Sequence, residues 1–450
     1  MKFSYSSALF TDAYQISMMQ TYFETQMTDL AVFELYVRNL PQNRNFLIAA
    51  GIDQALDFLE TVQFTEEEVQ WLRSTQRYSD LFLDSLKDFR FTGCVEGVPE
   101  GSIIFQNEPI LKVIAPLPEA QFVESRLINL IQFQSMIASK AIRSHLVADG
   151  KQLMDFGLRR SHGAEAGLMI ARASFLAGFH GTSTLSSAKE FGIPYFGTLA
   201  HSFIQAHPSE EAAFKRYALS QKGPVIFLID TYNIKAAATL ISTLTPQLRA
   251  QGAQVLGVRI DSGDLVQESQ EVRKILDRNH LQDLKIFVSG NLDEYAIEQI
   301  THAQAPVEGF GVGTKLATSA DAPYLECVYK LQEYGGQLKQ KRSAGKSTLP
   351  GSKQIYRASL PHGEYAHDIL ALTTETISST HPGIHYQPLL TPLMKNGKRL
   401  SAAQSLDTLQ KRVLSEVLKL PKPLRALHPS PSPYPVRLSP KLEALSKKKP

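Results

Sequence analysis

Between Lys151 and Thr314 the chain repeats one unit: a short apolar run, a polar or glycine-rich turn, then a longer segment whose apolar residues recur at helical spacing. The runs are QLMDF, PYFGT, VIFLID, VLGVRID, KIFVSG and GFGVGT. Most lie roughly thirty residues apart, the length of a strand, a crossover helix and a return. AGFHGTS supplies a weaker seventh candidate. None of these runs alternates apolar with polar residues, so a strand built from one must be covered on both faces. That restricts it to a parallel sheet flanked by helices or to a packed barrel interior. Six or seven such units favour a closed barrel over an open sheet, and the expected fold class is α/β, an irregular parallel α/β barrel.

The turn after each run is where distant parts of the chain would meet, because in a barrel the carboxyl ends of all strands open on one mouth. QLM is followed by Asp155, Phe156, Arg159 and Arg160; PYFGTLA by His201; VIFLI by Asp230 and Thr231. VLGV leads into Arg259, Asp261, Ser262, Gly263 and Asp264, KIFV into Ser289, Gly290 and Asn291, and GFGV into Gly313 and Thr314. A single polar turn would be a helix cap. A whole set in register describes a rim.

The flanks read differently. Residues 1–115 hold the strand-like FELYVRNLP, the helical AAGIDQALDFLETV and a Gly/Pro-punctuated hairpin set, FTGCVEGVPEGSIIFQNEPILKVIAPL. They are expected to form a smaller α+β domain, completed by about residues 335–450. The barrel domain then covers 116–334, entered through the long amphipathic segment EAQFVESRLINLIQFQSMIASKAIRSHLVADG. GGQLKQKRSAGKSTLPGSKQIYR reads as a basic, flexible loop followed by short strands. The proline-, serine- and lysine-rich tail LHPSPSPYPVRLSPKLEALSKKKP reads as extended on the surface or mobile at its end.

A chain of 450 residues exceeds one core, and 20% charged with 43% hydrophobic residues is a globular balance, not that of a disordered chain. The net charge of +3 is not gathered into a basic block, so there is no nucleic-acid footprint and the expected partners are small anions. The two cysteines, Cys94 and Cys327, build neither a disulfide framework nor a multi-cysteine zinc site, which fits a reducing cytoplasm. MKFSYSSALFTDAY lacks the apolar core of a signal peptide, and no apolar run is long enough for a membrane helix.

The rim residues carry definite chemistry. Glycine-rich turns at helix starts, Ser289–Gly290–Asn291 and Gly311 to Thr314, present N–H groups to anions and point to a phosphorylated ligand, though each taken alone is also a simple tight turn. In GVRIDSGDL, Asp261 and Asp264 suit ribose hydroxyls or a hydrated magnesium ion; the alternative is an Arg259–Asp261 ion pair that orders the loop. Phe156 beside Arg159 and Arg160 offers a flat face for an aromatic anion, or a core side chain. His201 is either a hydrogen-bonded structural histidine or, among phosphate-binding turns, a nucleophile that accepts a phosphoryl group. His207 reads as a structural helix-start residue.

TDAYQISMMQTYF, FELYVRNLP, DFGLRRSHG, GTLAHSFIQAHPSE, FLIDTYN, GVRIDSGDL, FVSGNLDE and GFGVGTKLATS together resemble the nicotinate phosphoribosyltransferase family. The resemblance is strong over roughly residues 8–330 and extends weakly to SPYPVRLS. It implies a type II phosphoribosyltransferase-like barrel. It also implies an enzyme of NAD biosynthesis that joins nicotinate to phosphoribosyl pyrophosphate, giving nicotinate mononucleotide and pyrophosphate. ATP would be a co-substrate, Mg2+ the accompanying ion with ligands left open, and His201 the phosphohistidine through which ATP hydrolysis is coupled.

By motif position Asp261 would meet the ribose hydroxyls, and Phe156 and Tyr14 would clamp the pyridine. Tyr14 would come from a neighbouring subunit, implying a homodimer with shared active sites. Arg159 and Arg38 match phosphate contacts, and Arg259 a position near the pyridine substituent. Gly311 and Gly313 match the 5′-phosphate site, flanked by Ser289, Gly290 and Thr314. Ser183 stands where nicotinamide-using relatives carry an aspartate, which favours the acid. A nicotinamide or quinolinate phosphoribosyltransferase, and a catalytically silent sugar-phosphate-binding barrel, are the alternatives. The basic stretch after Tyr334 and the lysine-ended tail depart from the family pattern.

Overall fold

The computed structural model describes residues 7–343, 348–378 and 383–447. Its contacts divide it into two compact units, one of residues 140–323 and one formed by the chain before and after them. The composition shift put these boundaries at about 115 and 334. The first division instead falls within the long helix Glu124–Val147 that the amphipathic segment forms.

In the central unit six parallel strands form one sheet: β1 (Gln152–Asp155), β2 (Gly181–Thr182), β3 (Val225–Leu228), β4 (Val255–Ile260), β5 (Lys285–Ser289) and β6 (Gly309–Val312). Their order is β2-β1-β6-β5-β4-β3, and every pairing is parallel. β3 and β6 are buried at every position, as strands covered on both faces must be. The weak candidate AGFHGTS supplies β2, while PYFGT contributes only a one-residue bridge, Tyr195 to Thr182. Pro194 explains why: it has no N–H to donate, so the pairing is limited to its carbonyl accepting from Thr182 N–H at 3.0 Å and Phe196 N–H donating to the Thr182 carbonyl at 2.9 Å.

The expected α/β architecture is present. Among the described residues β2 carries only the Tyr195 bridge on its outer side and β3 is an unpaired edge, so the sheet is a curled half-barrel and not the closed ring that the number of units favoured. Met154, Ile226 and Phe287, from β1, β3 and β5, pack in one apolar cluster against Phe156, Phe196 and Leu256. The crossover helices Ile234–Ala250, Leu265–Arg278 and Glu294–His302 each begin on a side-chain cap, Asn233, Asp264 and Asp293. Each cap is worth about 1 kcal/mol and fixes where a rim turn ends and its helix begins.

The second unit joins the N- and C-terminal segments. Leu30–Val37 lies between Pro109–Pro116 and Cys327–Tyr334 in a seven-stranded sheet, antiparallel to both. The helix expected from AAGIDQALDFLETV is Ile52–Thr61. The tail is docked along much of its length: Val436–Leu438 pairs in parallel with Tyr365–Leu372, and the Tyr434 ring stacks on Phe105 while its hydroxyl donates to Asp368 at 2.9 Å. Tyr434 and Leu442, buried within a proline- and serine-rich stretch, provide the apolar anchors that composition alone obscured. Part of the basic loop, residues 344–347, and the last three residues lie outside the described residues.

Candidate active site

Parallel strands share one direction, so the turns after β1 to β6 open on the same end of the sheet, and their side chains form a connected network. The turn after β3 supplies Asp230, whose side chain is 1% exposed. Its Oδ1 lies 3.2 Å from His201 Nε2, while Oδ2 accepts from the Asp261 N–H at 3.2 Å and from the Ser262 hydroxyl at 2.6 Å. Asp261, after β4, accepts in turn from the Ser289 hydroxyl at the end of β5. Arg259, within β4, donates to the Thr198 hydroxyl, and its guanidinium carbon lies 5.8 Å from the centre of the Phe156 ring. That ring rests on β6: a Cβ at Gly311 would stand 2.5 Å from it. Gly290 is required for a different reason, since its φ is +97° and a Cβ would meet the Asp261 carbonyl at 2.0 Å.

This network also laces the seam of the half-barrel. In a flat sheet the outer strands β2 and β3 would be about 24 Å apart. The segment leaving the Tyr195 edge nonetheless reaches the turn after β3 through His201–Asp230, and β4 through Thr198–Arg259. The sheet is therefore curled, with side chains joining its edges at the rim where the backbone ladder does not.

His201, Asp261, Phe156, Arg259, Ser289, Gly290, Gly311 and Gly313 are thus brought together, the last with its Cβ position 3.1 Å from the Phe156 carbonyl. Thr314 begins the short helix after β6. Ser183 follows β2, its N–H donating to the Asp155 carbonyl at 2.8 Å. Arg159 is exposed on the turn Leu158–Arg160 and close enough for its charge to act on Arg259. Tyr14 and Arg38 belong to the other unit. Tyr14 is half-exposed on the helix Ala13–Glu24 and donates its hydroxyl to Glu124 at 3.3 Å; Arg38 donates its N–H to the Glu326 carbonyl at 2.9 Å. His207 is structural, its Nδ1 2.7 Å from the Phe203 carbonyl.

Two readings of GVRIDSGDL change. Asp264 caps Leu265–Arg278, its Oδ1 accepting from Val266 and Gln267 N–H at 3.1 Å each, so one of its two carboxylate oxygens holds the helix. The Arg259–Asp261 pair is wide, at 3.7 Å, and the loop is ordered chiefly by Asp230 and Ser289. Asp230 itself was legible as a strand-end residue without a role. A carboxylate closing an apolar run was the signal, and the partner 29 positions away was not.

Burial lowers the Arg259 guanidinium from its usual value, Asp261 and Asp230 oppose that shift, and Arg159 adds to it. Among the described residues Arg259 Nε, Thr184 Oγ1 and Thr231 Oγ1 are buried polar atoms at this rim without a hydrogen-bond partner, and ligand oxygens would satisfy them. No group of three His, Cys, Asp or Glu among the described residues is arranged to hold a metal ion. Asp230 is engaged at both oxygens, whereas Asp261 and Asp264 each meet protein donors through Oδ1, which leaves Oδ2 of both as the rim carboxylate oxygens suited to a hydrated divalent ion. Among the described residues no helix is long and apolar enough to cross a membrane.

Comparison with known proteins matches this geometry to one family. Residues 9–132, 151–374 and 379–446 match the N-terminal domain, the family model and the C-terminal domain of nicotinate phosphoribosyltransferase. The chain is 42% identical over 433 residues to nicotinate phosphoribosyltransferase pncB2 of Mycobacterium tuberculosis, covering 96% of this chain and 91% of that protein. It is 35% identical over 398 residues to the nicotinate phosphoribosyltransferase of Bacillus subtilis, covering 87% and 81%. The crystal structure of human nicotinic acid phosphoribosyltransferase superposes with a TM-score of 0.85 at 28% identity, covering 97% of this chain and 99% of that one. By sequence over nearly its whole length, and by the fold that carries the rim, the chain belongs to the nicotinate phosphoribosyltransferase family.

Proposed function

We propose that this protein joins nicotinate to phosphoribosyl pyrophosphate, releasing nicotinate mononucleotide and pyrophosphate, in NAD biosynthesis. The observation that carries the reading is the convergence of His201, Asp230, Asp261, Arg259 and Phe156 on one rim beside the glycine turns at Gly290 and Gly311. The reaction is a displacement at the anomeric carbon: the pyridine nitrogen lone pair forms the new C–N bond, and the C–O bond breaks with its electrons leaving on pyrophosphate. The nitrogen carries no proton, so no general base is needed, and the protein acts by positioning and electrostatics.

Phe156 is the platform for the pyridine, with Arg259 over its ring to meet the carboxylate and Arg159 adding positive charge. Asp261 holds the ribose hydroxyls, and the turns at Ser289–Gly290 and Gly311–Thr314 hold the 5′-phosphate. A magnesium ion bound with the pyrophosphate would neutralise the charge building on the leaving group. Ser183, in place of an acidic side chain, keeps a repelling anion away from nicotinate.

ATP coupling rests on His201. A carboxylate at Asp230 accepts the Nε2 proton, leaving the lone pair on Nδ1. Nδ1 attacks the γ-phosphorus of ATP, ADP departs, and water later takes the phosphoryl group. The phosphorylated ring changes the affinity of the rim for its substrates, which is how a remote hydrolysis drives synthesis. Tyr14, from a second copy in a homodimer, completes the pyridine clamp.

The test is to incubate the protein with Mg2+, phosphoribosyl pyrophosphate and nicotinate, nicotinamide or quinolinate, with and without ATP. Nicotinate mononucleotide and an acid-labile phosphate absent from His201→Ala are expected. Equal turnover of nicotinamide would refute the acid preference, and binding without turnover would leave a silent sugar-phosphate-binding barrel.

A further inference from the structure

Asp155 is fully buried at the end of β1, and no Lys, Arg or His pairs with it among the described residues. A buried carboxylate without a cation is unfavourable unless its oxygens are occupied by donors. Here both are. Oδ1 accepts from the Gly157 N–H at 2.8 Å, and Oδ2 from the Thr182 hydroxyl at 2.7 Å. The Thr182 oxygen accepts in turn from the Thr184 N–H at 3.0 Å. The Asp155 carbonyl takes the Ser183 N–H at 2.8 Å, and the next residue, Phe156, is tied to β6 by its N–H on the Val312 carbonyl at 2.9 Å.

One side chain therefore sets the geometry of two rim turns. Gly157 lies close enough to the carboxylate that a Cβ would stand 2.9 Å from Oδ1, so the turn behind Phe156 is folded onto Asp155. The loop Thr182–Thr184 is held by the other oxygen. These turns carry the residues read above as the pyridine platform, Phe156, and the acid-versus-amide determinant, Ser183. With only neutral donors around it, burial pushes the Asp155 carboxyl up to about 6. Hydrogen bonding, not ion pairing, is what it supplies.

We propose that Asp155, acting with the Thr182 hydroxyl, is the positioning residue of the pyridine subsite: its two oxygens set the spacing between the Phe156 turn and the Ser183 loop. The assignment rests on the function proposed above. It separates the pyridine side of the rim, held through Asp155, from the sugar-phosphate side, held through Asp230, Asp261 and Ser289.

The test uses the full-length chain with D155A, D155N and T182V. It measures KM for nicotinate and for phosphoribosyl pyrophosphate separately, nicotinate binding by titration calorimetry, and Tm. Loss of one or two buried hydrogen bonds is expected to raise nicotinate KM and Kd about ten-fold in D155A and T182V, with phosphoribosyl pyrophosphate KM within about two-fold. Asn keeps an acceptor for Gly157 and offers a donor to Thr182, so D155N is expected to restore nicotinate KM to within about three-fold of wild type. Equal shifts in both KM values, no shift in either, or D155N as impaired as D155A would overturn the assignment. Should D155A fail to fold, the near-isosteric T182V carries the comparison. Wild-type turnover is read first: its absence refutes the proposed function, whereas turnover with an unchanged nicotinate KM in the variants refutes only the role of Asp155.

Discussion

Replacing Asp230 with Asn separates two jobs performed by one carboxylate. Oδ2 faces two donors, the Asp261 N–H and the Ser262 hydroxyl, while Oδ1 faces His201 Nε2 alone. An amide satisfies the larger demand by turning its oxygen toward the two donors, which leaves its NH2 toward His201. Nε2 must then accept, so the imidazole proton moves to Nδ1, the nitrogen that attacks phosphorus in the proposed mechanism. The variant also loses a charge-assisted hydrogen bond worth about 1.5–3 kcal/mol, or about 10- to 150-fold in rate. Because the His201 side chain is 41% exposed, water competes for the ring and the lower end of that range applies.

D230N is therefore expected to incorporate acid-labile phosphate from γ-labelled ATP at least about ten-fold more slowly. Synthesis measured without ATP should fall no more than about three-fold, since the Asp261 loop keeps its acceptor. D230A orphans the Asp261 and Ser262 donors and should impair both activities. Phosphorylation of D230N at the wild-type rate would refute the tautomer argument, and equal losses in the two assays would refute the division of labour.

Three other outcomes are open to measurement. Lys140 pairs with Glu294 at 2.6 Å and with Asp321 at 2.7 Å, and the buried Arg143 also donates to Glu294 at 2.8 Å, so E294A, which removes the carboxylate shared by both cations, should lower unfolding stability in urea by about 3–5 kcal/mol, and K140M, which leaves Glu294 its Arg143 partner, should cost less. Asp155 is raised from 3.8 to about 6, so the folded state retains a proton the unfolded chain has released. Stability from this group falls as pH rises from about 4 to 6 and is level above, and the stability of D155N relative to wild type should gain up to about 3 kcal/mol across that window. If Tyr14 serves the neighbouring copy's site, mixing Y14A with H201A should restore about a quarter of wild-type sites through hybrid dimers; no recovery after subunit exchange would place both residues in one copy's site.

Much of this was legible along the chain. Apolar runs without polar alternation define parallel strands, and the glycines of SGN and GFGVG mark backbone that a side chain would obstruct, because both are local properties of a few adjacent residues. PYFGT shows the limit of such a reading. Its composition is that of its neighbours, but Pro194 cannot donate and the segment contributes one bridge, so the sheet ends where the repeat suggested that it continues. Asp264 shows another, since a carboxylate in a rim motif serves a ligand or a helix cap according to the path of the next turn.

The sequence by itself determined the parallel α/β class, the set of polar strand-end turns and the family. What the tertiary structure alone decided was pairing: that Asp230, rather than a nearer acid, faces His201; that Asp155 answers to Thr182; that Ser289 gives its hydroxyl to Asp261; and that the proline-rich tail returns to sheet beside Tyr365–Leu372. The physical reason is range. Strand formation and turn chemistry are set within a few residues, whereas a hydrogen bond between side chains 27 to 29 positions apart exists only once the curl of the sheet has brought their turns together.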